Sequence, residues 1–298
     1  MKELRVPITA AILAGLAIAV PATFAASSAD SAPRRVLSTA NIFGAGSTLP
    51  PAPGGGGGGT LPPGWRLEPG SGVVTFPSVT GRVNPIQGVT PDNGPEGDRV
   101  GPTNVESWLG ISGIVHAKNG MFLAGVFLGD AAPATSAPPR IDFTDREAFD
   151  TLTPAIGQTF LIGDGKGRKY VPPAGATRLY VGFADAAGYQ GRPGWYGNNA
   201  GQLEVVAAGV SASLDATPPQ VFGASNRAVK APRGKKSVRV RYFVRASDEV
   251  DGTVPIECAP ASGTSFRLGR TSVTCSATDF SGNKREAQFT VMVKRRGR

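Results

Sequence analysis

The chain has 298 residues, with 31 Lys+Arg against 22 Asp+Glu and a formal net charge of +9. Its 41 glycines and 26 prolines favour turn-rich β-structure over helices. One histidine (His116) and two cysteines (Cys258 and Cys275) remove most zinc, Cys-His and Ser-His-Asp chemistry.

Lys2 and Arg5 precede an apolar run over residues 8–20, which Pro21 breaks. Thr23-Phe24-Ala25 then forms a small-x-small cleavage pattern before Ala26. Residues 1–25 are expected to be a signal peptide, with an uncleaved membrane anchor as the competing reading. The mature chain is expected to carry no transmembrane segment and to be secreted, in solution or attached to the cell surface.

Residues 26–69 are dominated by Ser, Ala, Pro and Gly and include six consecutive glycines at 54–59. No Lys-Ser/Thr follows them, so they lack the spacing of a phosphate loop. A low-complexity leader or loop is expected. The apolar pair Ile42-Phe43 offers the alternative that a first strand lies here, with the glycines as an excursion from it.

Residues 70–212 carry short β-branched or aromatic runs near 73–76, 113–115, 121–128, 159–162, 178–183 and 203–207. Gly, Pro, Asn and Asp clusters separate them at the spacing of an all-β sandwich or jelly roll. Gly163-Asp164-Gly165-Lys166-Gly167 reads as a turn rather than a metal or phosphate loop. Asp142, Asp145, Glu147 and Asp150 are numerous enough for a glycosidase pair, yet sequence spacing says nothing of their separation, and a solvated loop is expected.

The stretch 185–203 looks most like a site. Asp185, Asn198 and Asn199 supply hard oxygen ligands of the kind calcium takes, on a Gly/Pro-rich loop between two strand runs. The competing reading is that they brace a tight turn.

Asp185, the run Pro193-Gly194-Trp195-Tyr196-Gly197-Asn198-Asn199 and the following Ala-Gly-Gln-Leu-Glu-Val resemble the calcium-dependent galactose-binding bacterial lectins of PA-I type. Gly94-Pro95-Glu96-Gly97-Asp98-Arg99 resembles a second loop of that family. The resemblance implies a galactose-binding-like jelly-roll sandwich holding one calcium ion. Its side-chain ligands would be Asp185, Asn198 and Asn199, joined by the carbonyls of Trp195 and Gln87. Tyr196 would be structural, and Asn104, Asp185 and Asn198 would contact the sugar. Extra residues stand between Asp185 and Pro193, and Gly101 occupies the place of the family's sugar-contacting histidine, so galactose specificity does not carry over.

Residues 213–298 follow a boundary at Asp215-Ala216-Thr217-Pro218-Pro219. Residues 237–246 alternate with period two, placing Val238, Val240, Tyr242, Val244 and Ala246 on one face and Arg239, Arg241 and Arg245 on the other. The last strand repeats the pattern with Ala287, Phe289, Val291 and Val293. Asp248, Asp251 and Gly252, the Thr271-to-Asp279 run with Cys275, and Ser281-Gly282-Asn283 resemble the hyalin repeat, an immunoglobulin-like extracellular module. That resemblance implies an immunoglobulin-like sandwich. Cys258 and Cys275 would close a loop of 18 residues, with a free thiol pair as the alternative.

Residues 215–298 hold 16 Lys+Arg against 7 Asp+Glu, whereas the rest of the chain is balanced. This basicity suggests adhesion to anionic cell-surface polymers; export argues against nucleic acid. The functions implied are, first, an exported, non-catalytic, calcium-dependent carbohydrate-binding and adhesion protein. Second comes a structural surface or matrix protein with no small ligand, and third a carbohydrate-active enzyme using the acidic cluster.

Overall fold

A computed structural model describes residues 31–47, 54–70, 72–86, 88, 92–97, 101–279 and 281–296, the side chain at 212 excepted. The expected signal peptide lies outside the described residues. The chain is all-β: short strands and three 3-10 turns, with no α-helix among the described residues. No helix there is long and apolar enough to cross a membrane.

In the first module, strand Ala200–Ala208 runs antiparallel to Thr75–Asn84 on one side and to Arg34–Leu37 on the other. Leu203, Val205 and Ala207 point into the core at every second position, as a one-face-buried strand requires. A second sheet orders the strands Val210–Ser213, Gly64–Leu67, Arg178–Gly182, Ala124–Leu128 and Thr159–Leu161. Ala124–Leu128 is buried at all five positions, so it reads as a continuous apolar run rather than an alternating one. Both sheets share one core built on Trp65, Phe127, Phe160, Tyr170, Phe183 and Tyr196.

This corrects the expected start of the module at residue 70. Arg34–Leu37 and Gly64–Leu67 are strands of the two sheets, and Val36, Ile42, Phe43 and Trp65 lie in the core. The physical reason is that each contributes a few apolar residues to a partner strand far along the chain. The surrounding Pro and Gly turns dilute them in any local window of sequence.

The second module pairs Lys284–Lys294 with Gly269–Thr278 over ten positions, flanked by Arg227–Lys230 and Ile256–Ala259. A separate sheet orders Gln220–Phe222, Arg245–Asp248 and Gly252–Val254, and Ser237–Arg239 pairs with Ser265–Arg267. The single strand expected over 237–246 is therefore interrupted. At the break, the hydroxyl of Ser262 accepts from Tyr242 N (2.9 Å) and donates to Tyr242 O (2.7 Å), replacing a strand partner. The in–out alternation survives: Val240, Tyr242 and Ala246 are buried while Arg239, Arg241 and Arg245 are exposed. Cys258 and Cys275 face each other across neighbouring strands and form a disulfide, which by chain entropy adds about 3 kcal/mol.

The modules meet through charge. Arg34, 7% exposed, reaches from the first strand to Ser281 Oγ (3.0 Å) beside Asp215, Asp251 and Asp279, whose oxygens lie within 4.8 Å of one another. Burial pushes the Arg34 guanidinium down from its ordinary range, and the three carboxylates pull it back up. Leu61 N donates to Glu249 O (3.0 Å) across the same junction. Arg34→Met leaves the three carboxylates facing one another without this cation. It is expected to lower stability by about 3 kcal/mol and to open the 214–219 linker to protease; unchanged melting and cleavage would show that the junction does not rest on this charge.

Candidate metal centre

Strand Arg178–Gly182 ends just before Asp185, and strand Ala200–Ala208 begins directly after Asn199. The two strands belong to different sheets, so the sandwich itself delivers both residues to one end. Asn199 Nδ2 donates to Asp185 Oδ2 at 2.9 Å and to Ser38 O at 3.0 Å. Asp185 Oδ1 accepts from Ala186 N at 2.8 Å.

The extra residues after Asp185 do not separate it from the asparagines. Ala186 bridges to Pro193, and Gly194 N donates to Asp185 O at 2.9 Å, closing the insertion at its base. Inside it, a 3-10 turn at Ala187–Tyr189 leads into Gln190–Gly191, which pairs in parallel with Asn104 and Val105. Tyr196 is fully buried beneath the loop. Its hydroxyl donates to Phe183 O (2.9 Å) and accepts from Asp185 N (3.1 Å), which fixes the position of the Asp185 backbone. Burial pushes the Tyr196 phenol far above its usual range.

Among the described residues, Asn198 Oδ1 and Asn199 Oδ1 are buried with no hydrogen-bond donor. Asp185 is 3% exposed; burial pushes its carboxyl up to about 6, against hydrogen bonds from Asn199 and Ala186 that lower it. A buried carboxylate beside two orphaned amide oxygens lacks a positive partner. One carboxylate and two amides are hard donors that fit calcium. An open depression of about 350 Å³ lies over them, lined by Pro85, Ile86, Asp185, Tyr189, Trp195 and Asn198. Asn198 Nδ2 donates to Pro85 O at 2.8 Å, tying the depression's two walls together.

Trp195 sits in a left-handed conformation (φ 71°) at the start of the 3-10 turn Tyr196–Asn198. Gln87 lies outside the described residues. Asn104 does not line the depression; its Oδ1 accepts from Arg140 at 2.6 Å. Glu96, in the second resembling loop, accepts from Asp164 N (2.8 Å) and Arg168 (2.8 Å), while Asp98 and Arg99 lie outside the described residues. His116 is buried, with Nδ1 accepting from Lys118 N and Asn119 N at 3.2 Å each. Of the acidic cluster, Asp142 accepts from Thr144 N (2.8 Å) and Glu147 pairs with Lys118 (3.2 Å).

A larger cleft of about 390 Å³ lies at the module junction, lined by Gly46, Leu61, Arg178, Asp215 and Glu249. It brings together charges of both signs, whereas Asp185 is the one charged residue lining the other depression.

Residues 54–59 were not recognisable from sequence as part of the site. Gly55 O accepts from Trp195 N (2.6 Å), Gly56 O from Gly197 N (2.9 Å) and Gly54 O from the Trp195 indole (3.0 Å). The run is a backbone strap beneath the loop that carries Trp195 and Asn198. A Cβ on Gly56 would stand 2.7 Å from Trp195 Cα, and one on Gly59 would meet Thr39 O and Tyr196 Cβ; both glycines have positive φ. The Ile42-Phe43 pair was the available signal, because Asn41 before it donates to Gly58 O at 3.0 Å.

Residues 214–293 match the family model described as HYR domain. A stretch of 146 residues, 49% of the chain, is 30% identical to "Hyalin" of Strongylocentrotus purpuratus. The chain spans 11% of that relative's length. No solved structure is significantly similar to the chain.

Two outcomes are expected. Gly56→Ala and Gly59→Ala, each strained and crowded, should destabilise the first module by about 1–3 kcal/mol, read as lowered urea midpoints; wild-type midpoints would show that the strap does not press on the loop. In chelator, the raised Asp185 value makes a contribution to stability that is complete below the unfolded carboxyl value of about 4 and is lost as pH rises through about 6. Asp185→Asn should therefore gain on wild type across that window, and parallel stability–pH curves would contradict it.

Proposed function

We propose that the chain is an extracellular, adhesion-type protein whose first module binds one calcium ion at Asp185, Asn198 and Asn199 and engages a carbohydrate there. The observation that carries this reading is the pair of orphaned amide oxygens beside a buried carboxylate. The carbonyls of Trp195 and Gln87 would complete the protein's share of the ligands. Calcium bound by a single carboxylate would remain open to sugar hydroxyls as further oxygen ligands. Trp195, half out in solvent beside the depression, offers an apolar wall to a sugar ring. Asn104 would sit outside this contact, and Gly101 leaves the sugar unnamed. The match of residues 214–293 to the HYR domain supports the extracellular, adhesive setting, as does the disulfide.

A second reading is a scaffold with no small ligand. One observation favours it: Asn199 Nδ2 already meets Asp185 Oδ2, so the loop closes without a cation. Calorimetric titration decides between them. Calcium should bind the wild-type chain with a stoichiometry near one, and Asp185→Ala should abolish the heat while leaving residues 213–298 folded. A sugar panel titrated with calcium and then with chelator should show binding only in the first case. Absence of calcium heat in the wild type would support the scaffold.

A further inference from the structure

The charge of the second module is segregated. Of its seven carboxylates, Asp215, Asp248, Asp251 and Asp279 stand buried or half-buried at the junction end, where Arg34 faces three of them. Glu286 is taken by Lys284 at 2.8 Å. The remaining two are exposed, Glu249 at the junction cleft and Glu257 beside Phe243, so the rest of the module's surface sets many basic residues against few carboxylates.

Several of those residues are exposed in and around the segment 239–245. Arg239 ends the strand Ser237–Arg239, and Arg241 stands in the irregular stretch beyond it; both are exposed and alternate with buried Val240 and Tyr242. Arg267 is exposed on the neighbouring strand, opposite Ser237, while Arg239 lies opposite Ser265; the two arginines are diagonal neighbours. Arg245, beyond the break and in another sheet, is also exposed, with its guanidinium over the Phe222 ring at 4.8 Å. Phe243, of the same outward parity between Arg241 and Arg245, is 76% exposed. Among the described residues none of these arginines is in an ion pair.

We propose that this surface, Arg239, Arg241, Arg245 and Arg267 with Phe243, binds an anionic polysaccharide. Guanidinium forks match carboxylate and sulfate groups with paired hydrogen bonds, and several of them exposed around one segment suit a repeating polymer. Phe243 supplies an apolar surface for the CH face of a sugar ring. A single exposed ring is a poor fit to single-stranded nucleic acid, which uses successive stacking platforms. The surface lies on the second module and does not use the Asp185 site.

The test measures binding of the full chain to heparin and to polygalacturonate, both in chelator so that a calcium site cannot contribute. At least one should bind, with affinity falling steeply as salt rises. Arg239→Gln/Arg241→Gln/Arg267→Gln should weaken binding about tenfold or more. The Lys triple at the same positions keeps the charge and fold and should lose less. A matched triple on the first module, Arg66→Gln/Lys166→Gln/Lys169→Gln, should stay within about twofold. Equal loss in that control would overturn the assignment in favour of net charge alone. Binding of neither polymer, or tighter binding to a DNA 20-mer or to phosphatidylserine vesicles, would also overturn it.

Discussion

Burying the Asp185 carboxylate among other acceptors costs free energy, because a charge removed from water must find donors or a cation. The first module is arranged so that this carboxylate stays where it is despite that cost. Two sheets end at the same place, Tyr196 clamps the Asp185 backbone from below, and the bridge from Ala186 to Pro193 shuts the intervening insertion out. The Asn199 amide offsets part of the cost through one hydrogen bond, but leaves its own oxygen without a donor. Such local frustration departs from the consistency that the rest of the fold keeps.

Much of this was legible in the chain. Alternation along 203–207 and 287–293 gave the strands, because period two is a local property that survives any tertiary context. The pairing of Asp185 with Asn199 could be anticipated only through a resemblance of motif, since a separation of 14 positions says nothing by itself about closure. Other parts were hidden for definite reasons. Arg34–Leu37 and Gly64–Leu67 are four-residue strands whose partners lie more than a hundred positions away. The break at Tyr242 depends on one serine hydroxyl, which no periodicity registers. Asn104 was placed by counting along a motif, and the Arg140 contact that occupies its amide is invisible to counting.

The two modules are also unequal in how they handle charge. In the first, Glu96 with Arg168 and Glu147 with Lys118 spend opposite charges on each other. In the second, carboxylates gather at one end against an arginine lent by its neighbour, and the remaining surface is left cationic. The junction thus does two things with one residue. Arg34 fastens the modules together and withdraws acidic groups from the field that the far face shows to solvent.

The glycine strap ties the Trp195 loop to a distant part of the chain. The bond from the Trp195 indole to Gly54 O spans 141 positions, so it closes only after the intervening strands have brought the ends of that segment together. Loop-closure entropy makes such a contact costly to form by itself. The strap also has no side chains with which to nucleate anything of its own. The strap therefore depends on the sandwich: it can hold the Trp195 loop only where Arg34–Leu37 and Gly64–Leu67, on either side of it in the chain, have joined their sheets. A chain in which those two strands are unpaired would leave the Trp195 loop without its backbone support.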